Sequence, residues 1–457
     1  MNLLSNAALS VWFLAAGMIS LASGAEPAGQ FPLRNGDVWV MAGDSITAQH
    51  LHSNYFEAFC FARYPELTFA FRNSGVGGHT IPSTLARFDY DVAAWKPTVI
   101  SVELGMNDAG RFSREEFLKN MNTWLERVKS VPARPVIFTP SAVNDGSLLA
   151  TLAKGNRNVR LNEYSLDLKT LAEQEHLPFA DQFHTLIDRW GKNTANLQIA
   201  ELMGPAKAAA ANNAIPGVEH LREFLKAQTP PAQAPVSLQG NPVHPGPCGQ
   251  LMMAAVLLKG LGADGFVSSV ALDAHGKNVT AKGCQVTNVN AEGNQVAFVR
   301  LDERLPFPVP ADAAAVLPLT PEVLELSQYS LQLTGLPSGN YQVQLNEILV
   351  AAFTAEQLAH GVNLTPYAPG ILPEPRNPLL IQSAAILKAV AAKESLVSQW
   401  RGISKSAAAT GADPKLKGQL PGLQTRIEEA DAAIRVAARP QKLIIQVLPA
   451  PETPAKK

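Results

Sequence analysis

Cysteine is scarce in this chain. Cys60, Cys248 and Cys284 are the only three in 457 residues, so at most one internal disulfide can form and no disulfide framework holds the fold together. No Cys-x-x-Cys pair occurs, which removes the usual signature of a structural zinc or a dithiol site. Charge of either sign is also thin. Lys and Arg number 38 against 39 Asp and Glu, for a net charge of −1, and no basic cluster interleaves with aromatics, which argues against a nucleic-acid partner. There is no internal repeat, no long block of like charge and no full dinucleotide-binding fingerprint. What remains is 46% hydrophobic content, ordinary for a globular protein with a sizeable core and long enough for two or three domains.

An apolar run from Ala7 to Ala22 is followed by Ser23, Gly24 and Ala25 and then by Glu26 and Pro27, the order of a signal peptide cleaved after Ala25. Secretion or periplasmic location is expected from it, although no Lys or Arg precedes the run. As a membrane anchor the run is short, and no cysteine stands at the cleavage point for lipid attachment.

From Gly36 to Gly262 strand-like and helix-like patterns alternate, which predicts a parallel sheet covered on both faces. The strand candidates are Val38 to Met41, Leu67 to Phe71, Thr98 to Glu103, Pro135 to Thr139 and Pro178 to Ala180. Helices are expected over Ser53 to Ala62, Ser83 to Trp95, Arg114 to Lys129, Leu161 to His176 and Leu251 to Leu261. In Arg114 to Lys129 the apolar residues Phe117, Met121, Leu125 and Val128 recur at spacings of three and four, so that one face can pack on the sheet. Residues 191–240 carry an Ala-rich stretch (206–211) and a Pro-rich one (230–235) without a strand pattern, and read as helices and loop. After Ala263 short alternating runs separated by turn signals predict a β-rich module. They are Val267 to Ala271, Gln285 to Val289, Gln295 to Val299, Tyr329 to Leu333 and Tyr341 to Leu345. Helices are expected again over Asn377 to Trp400 and Leu423 to Ala438, then a strand over Lys442 to Val447 and a Pro/Lys tail. The domain boundaries expected are 1–25 signal peptide, 26–265 catalytic domain, 266–370 β-rich module and 371–457 helical extension with a mobile tail.

Four stretches carry candidate chemistry. Val38 to Val40 ends in Gly43-Asp44-Ser45, a turn that would lift a hydroxyl off the carboxyl end of a strand, where open α/β sheets keep their sites. Asn73 to Thr80 contains Gly75, Gly77 and Gly78, which let backbone amides approach a ligand. Asn107 and Asp108 follow the strand Thr98 to Leu104. His244 sits in Asn241-Pro-Val-His244-Pro-Gly, ahead of an apolar helix. Each alone has a plainer explanation, in turns, helix caps or a surface histidine.

Together, in this order and each at a strand end, they resemble the SGNH (GDSL-type) ester hydrolase family over roughly the first 260 residues. The resemblance implies a flavodoxin-like, three-layer α/β fold with Ser45 as nucleophile and His244 as base. It also implies an oxyanion hole built from the amides of Ser45 and Gly78 and the side chain of Asn107. No cofactor or metal is implied. Exported members often deacetylate carbohydrates, so a small-molecule or carbohydrate ester is the expected substrate, with the β-rich module helping to hold a polymer.

One position departs from the family. An Asp usually stands three residues before the histidine, and here that orienting position is Asn241. Three consequences stay open: a Ser-His dyad helped by a backbone carbonyl, a carboxylate supplied from elsewhere, or a weak enzyme. The first is favoured because nucleophile, donors and base are all retained. The competing function is a glycan-binding protein that keeps the fold and has lost the chemistry. His50, His52 and His79 lack a carboxylate or cysteine to complete a metal set. Cys248 reads as a buried small residue more than as a reactive thiol.

Overall fold

The computed structural model describes residues 31–194, 211 and 236–451. The expected signal peptide lies outside these residues, as does most of the expected helix-and-loop segment before His244.

Five parallel strands form the first sheet: β1 (Asp37–Gly43), β2 (Phe69–Gly75), β3 (Val99–Glu103), β4 (Arg134–Phe138) and β5 (Phe179–Ala180), in the order β2-β1-β3-β4-β5. The order reverses beside β1, and at such a switch point a crevice opens at the carboxyl ends of the strands. Strand alternation sends Trp39, Met41 and Phe71 to one face and Val40, Ala42 and Val102 to the other. Helices α1 (Ser45–Ala48) and α2 (His52–Arg63) follow β1. The first face is covered by α2, by α6 (Phe183–Thr194) and by α7 (Pro247–Gly260). The opposite face is covered by α4 (Arg114–Lys129) and α5 (Arg157–Glu175), with Phe117, Met121, Leu125 and Val128 of α4 all buried. This is the α/β, three-layer architecture expected from the alternating pattern.

Two segments differ from expectation for identifiable reasons. β2 runs four residues further than Phe71 because its polar continuation is buried and bonded. Arg72 pairs with Asp431, Asn73 donates to the Thr47 carbonyl and Ser74 reaches Asp91. The expected helix over Ser83 to Trp95 is broken into α3 (Ile81–Leu85), a π turn (Phe88–Val92) and a 3₁₀ turn (Ala93–Trp95). The wide turn swings Asp91 round toward Arg87 and Ser74 under the sheet's end.

The β-rich region forms two further sheets. One has the order β13-β10-β6-β7 and the other β12-β11-β14-β9-β8. Their strands are β6 (Phe266–Asp273), β7 (Thr280–Lys282), β8 (Cys284–Glu292), β9 (Gln295–Asp302), β10 (Gln328–Thr334), β11 (Asn340–Leu345), β12 (Ile348–Thr354), β13 (Val362–Asn363) and β14 (Lys442–Pro449). A shared apolar layer that includes Val270, Phe298, Leu331, Val343 and Ile445 joins the two sheets. β14 lies between β9 and β11, antiparallel to both.

The helical extension forms a hairpin of α8 (Pro378–Ala408) and α9 (Pro414–Ala437). Ile386, Val390 and Ile434 join the core on one face of the first sheet, while Val397, Trp400, Leu423 and Ile427 join the core on the other. The hairpin therefore wraps the β2 edge, one of the ways a protein blunts an open sheet edge. A buried charge cluster anchors it. Lys393 Nζ reaches Glu57 Oε2 at 2.8 Å and the Phe71 carbonyl at 3.0 Å, and it also pairs with Glu394.

Candidate active site

Ser45 opens α1 directly after the carboxyl end of β1. The turn is fixed by Asp44, whose Oδ1 accepts the Ile46 amide at 2.9 Å and so caps the helix. α1 is pressed close to the sheet, and Gly75 permits it: a Cβ there would lie 2.4 Å from the Ala48 nitrogen. Burial pushes the Asp44 carboxyl up to about 7, and the nearby Glu103 and Asp108 push the same way against the pull of the Ile46 amide.

The structure brings His244 to this serine. Its Nε2 lies 2.7 Å from Ser45 Oγ. The other ring nitrogen, Nδ1, lies 3.3 Å from Asn241 Oδ1, a long contact, so its partner is the asparagine side chain and not the backbone carbonyl expected. Asn241 Oδ1 also accepts the amides of Val243 at 2.9 Å and His244 at 2.8 Å. Only an oxygen can accept those two donors, so the amide is held with its oxygen toward the ring. Among the described residues no carboxylate is paired with His244. Gln49 and Gln250 both donate to the Pro245 carbonyl at 3.2 Å, which ties the histidine loop to α1 and α7.

Asn107 follows β3, and its Nδ2 donates to the His79 carbonyl at 3.1 Å and to Asp44 Oδ2 at 3.3 Å. The glycine loop between β2 and α3 therefore meets Asn107 and the serine turn. Gly78, exposed at its crest, has φ +74°, and a Cβ placed on it would meet nothing within 4 Å. A residue with Cβ would be strained there by the backbone alone. Asp108 sits behind, buried, accepting the Ile81 amide at 3.0 Å, and burial pushes its carboxyl up to about 6.

Beneath this cluster lies a buried layer of which only His52 was singled out from the sequence. His52 sets Nε2 2.8 Å from Glu103 Oε2 and Nδ1 2.6 Å from Gln250 Oε1. Gln250 Nε2 donates to Gln49 and Pro245, so its oxygen faces His52 and both imidazole nitrogens face acceptors. Burial works against the charged ring, yet Glu103 and the two hydrogen bonds outweigh it and raise the His52 pKa. His50, after α1, pairs with Glu394 at 3.2 Å, and His79 accepts from Arg87 at 3.2 Å, so the three histidines have separate partners. Cys60, Cys248 and Cys284 are free and buried.

The arrangement can deprotonate a hydroxyl and hold an oxygen beside amide donors, the parts needed for acyl transfer. Sequence comparison points the same way. Residues 41–201 match the GDSL-like lipase/acylhydrolase family. An acetylxylan esterase from Geobacillus stearothermophilus is 30% identical over 126 residues, which is 26% of this chain and 57% of that relative's length. A gut microbial diltiazem-metabolizing enzyme superposes with a TM-score of 0.69 at 20% identity, over 93% of this chain and 100% of its own, so the two share a fold. A solved acetylxylan esterase from Geobacillus stearothermophilus aligns over 50% of this chain and 95% of its own at 19% identity, with a TM-score of 0.37.

Proposed function

We propose, on the premise that residues 41–201 match the GDSL-like lipase/acylhydrolase family, an exported serine esterase that hydrolyses acetyl and other small acyl esters, on carbohydrates foremost. The observation that carries this reading is the 2.7 Å approach of His244 Nε2 to Ser45 Oγ. Nε2 takes the hydroxyl proton as Oγ attacks the acyl carbon. The oxygen that gains charge is held by the amides of Ser45 and Gly78 and by Asn107 Nδ2, which exchanges its long 3.3 Å contact with Asp44 Oδ2 for that oxygen. His244 then gives its proton to the departing alcohol, and a water activated by the same ring releases the acid and frees Ser45.

Asn241 fits this cycle as a neutral orienting group. In a serine protease on another fold, replacing the triad Asp by Asn costs about 10⁴ in rate because the wrong tautomer results. Here the two backbone amides turn the asparagine oxygen toward Nδ1, which favours a proton on Nδ1 and a lone pair on Nε2 facing the serine. What the amide lacks is negative charge for the imidazolium, so the dyad works at reduced power.

The carbohydrate assignment is supported by the name of the 30%-identical relative, an acetylxylan esterase. Export is supported by the apolar leader pattern, and no helix among the described residues is long and apolar enough to cross a membrane. On this reading residues 26–265 hold the catalytic groups, 266–370 form the β-rich module, and 371–457 supply the hairpin and the last strand.

The test is covalent labelling by a fluorophosphonate, followed by hydrolysis of p-nitrophenyl acetate and acetylated xylo-oligosaccharides. Wild type should label and Ser45→Ala should not. An unreactive, folded wild type would favour a glycan-binding protein that keeps the fold without the chemistry.

A further inference from the structure

Arg401 of α8 reaches beneath the glycine loop. Its Nε and Nη2 hold the two carboxylate oxygens of Asp91 at 2.6 and 2.8 Å, and Nη2 also donates to the Gly75 carbonyl at 3.0 Å. Arg87 pairs with the same carboxylate, which also accepts the Ser74 hydroxyl at 3.1 Å. From there Arg87 donates to the Gly43 carbonyl at 3.3 Å and to His79 Nδ1 at 3.2 Å. The atoms held are therefore the last carbonyl of β1 before the serine turn and both ends of the loop that carries Gly78. Two guanidiniums share one carboxylate, which leaves net positive charge behind the loop. The His79 imidazole registers this field: burial, then Arg87, with Lys405 and Arg401, hold it below its ordinary range against the opposing pull of Asp91.

We propose that Arg401 is a positioning residue of the esterase reaction: through Asp91, Arg87 and the Gly75 carbonyl it holds the Gly75–His79 loop so that the Gly78 amide faces the acyl oxygen. The helical hairpin is then part of the active site and more than a cover for the β2 edge. This rests on the esterase reading and on Gly78 as an oxyanion donor.

Docking of the hairpin does not depend on Arg401 alone. Lys393 binds Glu57, Trp400 packs against Trp95 with ring centroids 3.8 Å apart, and Asp431 pairs with Arg72 at 2.7 Å. Loop order and hairpin docking can therefore be separated by mutation. Arg401→Lys keeps the charge but loses the fork that spans Asp91 and Gly75, and Arg401→Ala loses both. The expected result for folded Arg401→Lys is a kcat on p-nitrophenyl acetate lower by about tenfold to a hundredfold with KM little changed, within the loss that one misplaced oxyanion donor causes. Added guanidinium should restore part of the kcat of Arg401→Ala. The Val76 amide bonds the Gly43 carbonyl at 3.1 Å and the His79 amide bonds Val76 at 3.3 Å, so hydrogen exchange of a peptide covering 75–79 should accelerate in both variants.

Asp431→Asn is the control: it weakens hairpin docking and should lower the melting temperature with kcat unchanged. Folded Arg401→Lys and Arg401→Ala with wild-type kcat and unchanged exchange at 75–79 would overturn the proposal. If wild type fails to label or hydrolyse, the esterase reading falls by itself, and the exchange measurement still decides whether Arg401 holds the loop.

Discussion

Asn241 is the residue on which the strength of the chemistry turns. Its oxygen faces the histidine because two backbone amides hold it there, and it offers orientation without charge. Asn241→Asp should therefore raise kcat on acetyl esters, since a carboxylate stabilises the imidazolium formed in the transition state; an unchanged or lower rate would mean that this position does not assist the ring. Asn107→Ala removes one donor and should lower kcat by about 10² to 10³ with little change in KM, read in steady-state kinetics of the purified protein. Ser45, Gly78, Asn107, Asn241 and His244 were singled out through short motifs and the family they resemble, the first three after β1, β2 and β3 and the last two ahead of α7, and the structure sets His244 beside Ser45 and Asn241. Arg87, Asp91 and Arg401 were not. They come from a broken helix and from a distant helix with ordinary amphipathic composition, and only their meeting in space gives them meaning.

At the scale of elements, local pattern was informative wherever apolar periodicity ruled. α4 begins and ends at the residues its spacing predicts, between the Ser113 capping box and the basic last turn. Pattern failed where buried polar groups took over, as in the polar end of β2 and the π turn that delivers Asp91. The α8 anchor is another such place, since a lysine with its side chain wholly buried looks in the sequence like any surface lysine. Lys393→Met would leave Glu57 buried without its cation and Glu394 with His50 alone. The expected cost is about 3 to 5 kcal/mol, measured by urea unfolding monitored by fluorescence, and a loss under about 1 kcal/mol would mean that the carboxylates find other partners.

For the molecule as a whole, the buried His52–Glu103 pair couples stability to pH. Folding raises the His52 pKa above 6.5, so the stabilisation is complete below that value and drains away as pH rises through the folded value. Melting temperatures of wild type and His52→Gln should differ most near pH 6 and converge toward alkaline pH; a gap that stays constant across the range would remove His52 as the titrating group. The overall three-layer architecture and the change of texture after Ala263 were readable from alternation and turn signals. The assembly of the later segments was not. Nothing local in Lys442 to Val447 tells that the strand belongs in the middle of a sheet whose other members precede it by a hundred residues or so, because pairing partners are chosen by the completed apolar layer.

That central placement sets an order on biosynthesis. Leu443 pairs with Arg300 and Val447 with Val343, so the middle lane of the sandwich stays open until residues 442–449 have left the ribosome. Such distant pairings are slow to form. A product of early termination would display two unzipped strand edges, the usual invitation to proteases and self-association. Quality control is thus written into the topology: only a chain synthesised as far as β14 can close the sandwich.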